Sequence, residues 1–66
     1  MKLRELYSRV PDDEWLEVLI HIESNEPLKA VSILRFYIGF DLLTGAKAVK
    51  QIAKEELNKE ILTFIH

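Results

Sequence analysis

The residues of this chain that could do chemistry are few. There are two histidines, His21 and His66, far apart along 66 residues, and no cysteine. A metal site needs three or four converging ligands, and thiolates are ruled out, so neither a metal nor another cofactor is expected. His21 has Glu17 one helical turn before it. That spacing reads as a surface pair, because a general base would need a cleft and a second group, and neither is visible. Asp12, Asp13 and Glu14 are adjacent carboxylates, better suited to the start of a helix than to acid–base work. None of Ser8, Ser24 and Ser32 lies in a nucleophile motif. Two glycines cannot build a phosphate-cradling loop. The chain is therefore not expected to be an enzyme.

What remains is binding. Lys47, Lys50 and Lys54 recur at three and four residues, which puts them on one face of a helix. Arg35 is placed to approach them across a turn. The strip is read either as a solvated face or as a docking site for an acidic protein or, less favoured, for phosphate. Trp15, Phe36, Tyr37 and Phe40 are the large aromatics of the central region. They serve as core, but Phe36 and Phe40, if exposed, are the kind of anchor that dominates an interface. Phe36 falls beside the polar strip of its helix and is the preferred anchor. The candidate partner-binding residues are thus Arg35, Phe36, Phe40, Lys47, Lys50 and Lys54. A helix–glycine–helix layout also suggests a helix-turn-helix with residues 44–58 as recognition helix. The formal charge of −2 argues against that, since nucleic-acid binders carry a basic excess.

Charge is unevenly spread. Residues 1–28 hold three cations against seven carboxylates, a net −4, and residues 29–66 hold six against four, a net +2. The acidic half is expected to sit on the basic half, within one molecule or across a dimer. A hydrophobic fraction of 48% is hard to hide in one small body, which favours a homodimer or a partner groove.

The elements that position these residues follow from periodicity. Residues 2–9 make a short helix that must dock to persist, ended at Val10-Pro11. Asp12 is a candidate N-cap for a helix over 12–23. In that segment Leu16, Val18, Ile20 and Ile22 would share one strand face, whereas Glu17, His21 and Ser24 follow helical spacing, and helix is preferred. Ser24 or Asn25 caps the next helix, with Pro27 in its first turn. From Leu28 to Ile38 the stripes Leu28-Val31-Leu34-Ile38 and Ala30-Ile33-Tyr37 leave only Lys29, Ser32 and Arg35 polar, which marks a central helix. Gly39 ends it in the left-handed conformation. Phe40 folds back, and Asp41 or Thr44 caps the last helix. Ala46, Val49, Ala53, Leu57, Ile61 and Phe64 form its stripe, and Glu55 and Lys59 a surface pair. The tail from Ile61 is read as either helix or strand.

The run Pro27-Leu28-Lys29-Ala30-Val31-Ser32-Ile33-Leu34-Arg35, then Gly39-Phe40-Asp41-Leu42 and Ala46-Lys47, resembles the helical hairpin of the bacterial ribosomal stalk protein's C-terminal domain and of small proteins that share it. The resemblance covers residues 27–52. Ser32, Asp41 and Gly45 stand where that family has lysine, glycine and glutamate. It implies a lysine-bearing face, with Arg35 and Lys47 in matching positions, that docks on translation factors. A fainter similarity joins Glu23-Ser24-Asn25-Glu26 to the binding loop of the protease adaptor that reads destabilising N-termini.

The expectation is one domain over residues 1–66, mainly α, a bundle of three helices plus a short N-terminal one with a hairpin at Gly39. Its function is expected to be protein binding or regulation on a larger machine. Self-assembly as a homodimer is the first alternative and nucleic-acid binding the second. With no secretory leader and no apolar run of about 20 residues, a cytoplasmic, non-membrane setting is expected.

Overall fold

The computed structural model describes residues 3–61. Four helices follow one another: α1 (Leu3–Tyr7), α2 (Asp12–Glu23), α3 (Pro27–Ile38) and α4 (Leu42–Leu57). No strand occurs among the described residues. The ambiguous segment 15–23 is helical, and burial shows why. Val18 and Ile22 are fully buried, with Trp15 and Leu19 packed partly against the core. Leu16 and Ile20, which a strand would place beside Val18 and Ile22, face solvent instead. The apolar side repeats every three or four residues, not every two.

α3 packs against both α2 and α4. It supplies Ala30, Val31 and Leu34 to the core, and α4 supplies Ala48, Val49, Ile52 and Ala53. The narrow polar face of α3 thus reflects a helix with neighbours on two sides. Leu28 departs from its expected stripe and is exposed, although Pro27 and Ala30 in the same turn are buried, so it lies on the outer side of α3.

The helix ends differ from those expected. Asp12 is the first residue inside α2, not its cap, and Pro11 holds the boundary without a side-chain cap bond. Pro11 lies at φ −56° and ψ 149°, and its carbonyl accepts the Trp15 N–H at 2.8 Å. The proline ring fixes only φ; the ψ is extended, not helical, so α2 begins at the next residue. Asp12, Asp13 and Glu14 still occupy the first turn, where the helix dipole favours negative charge. Neither Ser24 nor Asn25 caps α3; Glu26 does, with Pro27 at the first helical position. Asn25 instead closes α2. It sits at φ 64°, its N–H donates to the Ile22 carbonyl at 3.2 Å, and the Glu26 N–H donates to His21 at 2.8 Å. This is a Schellman closure with asparagine in the left-handed position.

α4 ends at Asn58, also left-handed at φ 49°. Ile61 therefore lies outside the helix, although it still packs partly against the core. Phe64 and the ending of the tail over 62–66 lie outside the described residues. The expected Glu55–Lys59 pair does not form, because the helix stops before Lys59. The Lys59 Nζ crosses to donate to the Ile22 carbonyl at 2.9 Å, satisfying an acceptor at the end of α2.

α1 is too short to persist alone, and three contacts hold it. Leu6 and Val10 are buried in the core. The Tyr7 ring meets Trp15 edge to face, centroids 4.5 Å apart at 87°, and its hydroxyl donates to the Glu56 carboxylate. Partial burial first, then this bond and the charges of Glu56 and Glu55, push the Tyr7 phenol up to about 12. A pKa raised by folding stabilises the fold below the ordinary tyrosine value of about 10, and that contribution is lost as pH rises through 12. Wild type should therefore lose stability between pH 10 and 12 in denaturant titrations, and Tyr7→Phe should lose less across the same interval. Equal losses would show that the phenol is not held by the fold.

Candidate partner-binding face of the α3–α4 hairpin

The hairpin is built from three local devices. Gly39 closes α3 at φ 87°, with its N–H donating to the Arg35 carbonyl at 3.0 Å. An added Cβ there would meet nothing within 4 Å, so glycine is required for its backbone conformation and not for space. Asp41 caps α4, its side chain accepting the Thr44 N–H at 2.9 Å. That settles the choice between Asp41 and Thr44. Its hydrogen bonds from Thr44 hold the Asp41 carboxyl below the usual value. The third device is Gly45, which is buried. A Cβ on it would lie 3.0 Å from Val31 Cγ1 and 3.5 Å from Arg35 Cγ. The two helices approach each other closely here, and the missing side chain permits it. Against the stalk hairpin pattern, Gly45 is only a departure. A lone glycine inside a helical pattern was the available signal.

The expected site residues divide into three groups. Phe36 is 79% exposed, with its ring edge to face on Tyr37 at 4.9 Å and 82°. Lys47, Lys50 and Lys54 are all exposed on α4, and open grooves at its C-terminal end are lined by Lys50, Lys54, Asn58, Lys59, Glu60 and Ile61. Arg35 and Phe40 belong more to the turn. The Arg35 Nε donates to the Phe40 carbonyl at 3.4 Å, and its stem lies under Gly45. Phe40 is half-buried and lines a shallow groove with Glu5, Leu6, Arg9 and Ile38. Leu42 and Leu43, both exposed in the first turn of α4, were missed. They precede Gly45, where the buried side of α4 begins.

His21 and Glu17 form the surface pair expected of them, Nε2 to Oε2 at 3.7 Å. Among the described residues no three His, Asp or Glu side chains are grouped to hold a metal ion, and no helix is long and apolar enough to cross a membrane. Phe36 on α3 and Leu42, Leu43, Lys47, Lys50 and Lys54 on α4 are all exposed, and exposed aromatic side chains are the groups that anchor interfaces. No family model matches the chain, nor does any curated protein or solved structure.

The two glycines should respond differently to substitution. Gly45→Leu overpacks the crossing and should cost about 1–3 kcal/mol in urea unfolding. At Gly39 the cost is conformational, about 1–2 kcal/mol for Ala and more for β-branched Val, with Asn tolerated best. A Gly45→Leu variant as stable as wild type would place the helices farther apart than described. For Asp41, a lowered pKa stabilises the fold above the unfolded value of 3.8 and is lost as pH falls through the folded one. Asp41→Asn keeps a good cap, so it should match wild type near neutrality and lose less stability below pH 4. Part of the acid loss should remain, because Lys29 likewise holds the Glu26 carboxyl low.

Proposed function

We propose that this chain is a small protein-binding module that docks on a larger assembly through the outer face of its α3–α4 hairpin. The observation that carries this is Phe36, an aromatic side chain held on a helix with 79% of its surface in water. Burying such a side chain is worth about 1.5–3 kcal/mol, and aromatic anchors of this kind dominate interfaces. Leu42 and Leu43 add exposed apolar surface to the same hairpin. Lys47, Lys50 and Lys54 on α4 suit an acidic partner, because complementary charge speeds encounter and fixes register. Arg35 contributes by holding the turn that joins the two helices.

The resemblance of residues 27–52 to the ribosomal stalk hairpin makes the translation apparatus the first assembly to test. The experiment is capture from the cell of origin with the chain as bait, followed by direct binding to the captured protein. Phe36→Ala should weaken binding at least tenfold, and so should Lys47→Glu with Lys50→Glu, both with unchanged helical circular dichroism. Binding that ignores both variants would remove the hairpin face from the reaction.

A further inference from the structure

The middle of α3 reads the same in both directions. In the run Leu28-Lys29-Ala30-Val31-Ser32-Ile33-Leu34-Arg35-Phe36, two apolar residues flank the serine on either side, then a cation, then an apolar end. Leu28, Ser32 and Phe36 fall four apart, so they form one stripe along the helix, with Lys29 on one flank and Arg35 on the other. All five are exposed, Leu28 at 47% and Phe36 at 79%, while Ala30, Val31 and Leu34 are buried in the core. The polar side chains of this surface each have a bond within the molecule. The Ser32 hydroxyl donates to the Leu28 carbonyl at 3.1 Å. Lys29 pairs with Glu26 at 2.8 Å, which joins the acidic half of the sequence to the basic half. The Arg35 Nε donates to the Phe40 carbonyl. What the stripe lacks is cover for its two apolar ends.

We propose that α3 pairs antiparallel with α3 of a second copy of this chain, about a two-fold axis at Ser32. This rests on the reading of Phe36 as an anchor and names the surface it meets. A two-fold interface requires a patch that complements itself. A pattern symmetric about one residue meets that condition, whereas an unrelated partner gives the symmetry no role. In such a pair Leu28 lies at the height of the partner's Phe36 and packs on it. Lys29 falls beside the partner's Phe36, where an ammonium over a ring is favourable, and the Arg35 stem covers the partner's Leu28. A small residue at the crossing lets the axes approach toward the short end of the usual range of about 8–10 Å. The seam of one helix pair is smaller than the roughly 800 Å² per partner of a standard interface, so the association is weak and concentration-dependent. Its flanks carry Lys29 and Arg35 from both copies, so added salt screens repulsion and does not dissolve the pair.

The test exploits the absence of cysteine from the chain. Ser32→Cys puts a single thiol at the proposed axis, where the two Cα atoms would lie about 5 Å apart, within reach of a disulfide. With oxidised glutathione it should form a linked dimer at least tenfold faster than Lys54→Cys, whose thiol sits on the exposed side of α4. Adding Phe36→Ala to Ser32→Cys should slow the link at least tenfold. Sedimentation of the unmodified chain up to about 1 mM should show a mass rising toward that of two chains, no less at about 1 M salt than at about 0.1 M. Circular dichroism establishes that the variants are folded. Equal rates for Ser32→Cys and Lys54→Cys, or a chain monomeric up to about 1 mM, overturn the proposal. A monomeric chain that still loses its cellular partner with Phe36→Ala overturns self-pairing alone and leaves the hairpin docking in place. A chain that links through Ser32→Cys while Phe36→Ala leaves its cellular partner bound supports the pairing and overturns the docking.

Discussion

The structure depends on how closely α4 can approach α3. At Gly45 the two backbones come near enough that one methyl group would sit 3.0 Å from a Val31 methyl. Val31 is itself buried and β-branched, so it has little freedom to move aside. Interiors of this kind are close-packed, and a helix crossing cannot loosen at one point without opening voids along its length. The alanines at 30, 48 and 53 are fully buried in the core, and their small volumes keep the bundle tight. A chain of this size buries a modest fraction of its surface, so close approach substitutes for a large core.

That constraint also decides what stays outside. With α3 and α4 fixed against each other and α2 on the other flank of α3, the remaining apolar side chains have nowhere to go. Phe36, Leu42 and Leu43 on the hairpin and Leu16 and Ile20 on α2 are left in water. Single exposed apolar residues are ordinary in folded proteins. On α2, Leu16 and Ile20 stand among acidic residues, and on α4, Leu42 and Leu43 precede Lys47, Lys50 and Lys54.

The helix ends show a second theme, the use of residues other than those with the strongest textual signal. Asparagine closes two of the helices in the left-handed conformation, at Asn25 and Asn58, where glycine is the commoner choice. Lys59, expected to pair with Glu55 along one helix, instead completes the end of another by reaching the Ile22 carbonyl. Tyr7 ties the short first helix to the last through Glu56. Long polar side chains thus bridge elements far apart in sequence.

By itself, the sequence determined the helical class and the break at Gly39, and it narrowed the cap of α4 to Asp41 or Thr44, because these rest on short-range rules. A glycine is needed where φ turns positive, and a carboxylate suits the start of a helix. Periodicity also placed Phe36 beside the polar strip and the three lysines on one face, so much of the candidate site could be read from the chain. Other features were decided only by the tertiary structure. That Phe40 lands against Leu6 and Ile38 depends on where α1 docks. That Gly45 meets Val31, and that Leu16 and Ile20 stay uncovered, depends on how the helices pack. Each depends on which helix lies alongside, and that follows from packing all the helices at once, a property that no window of neighbouring residues contains.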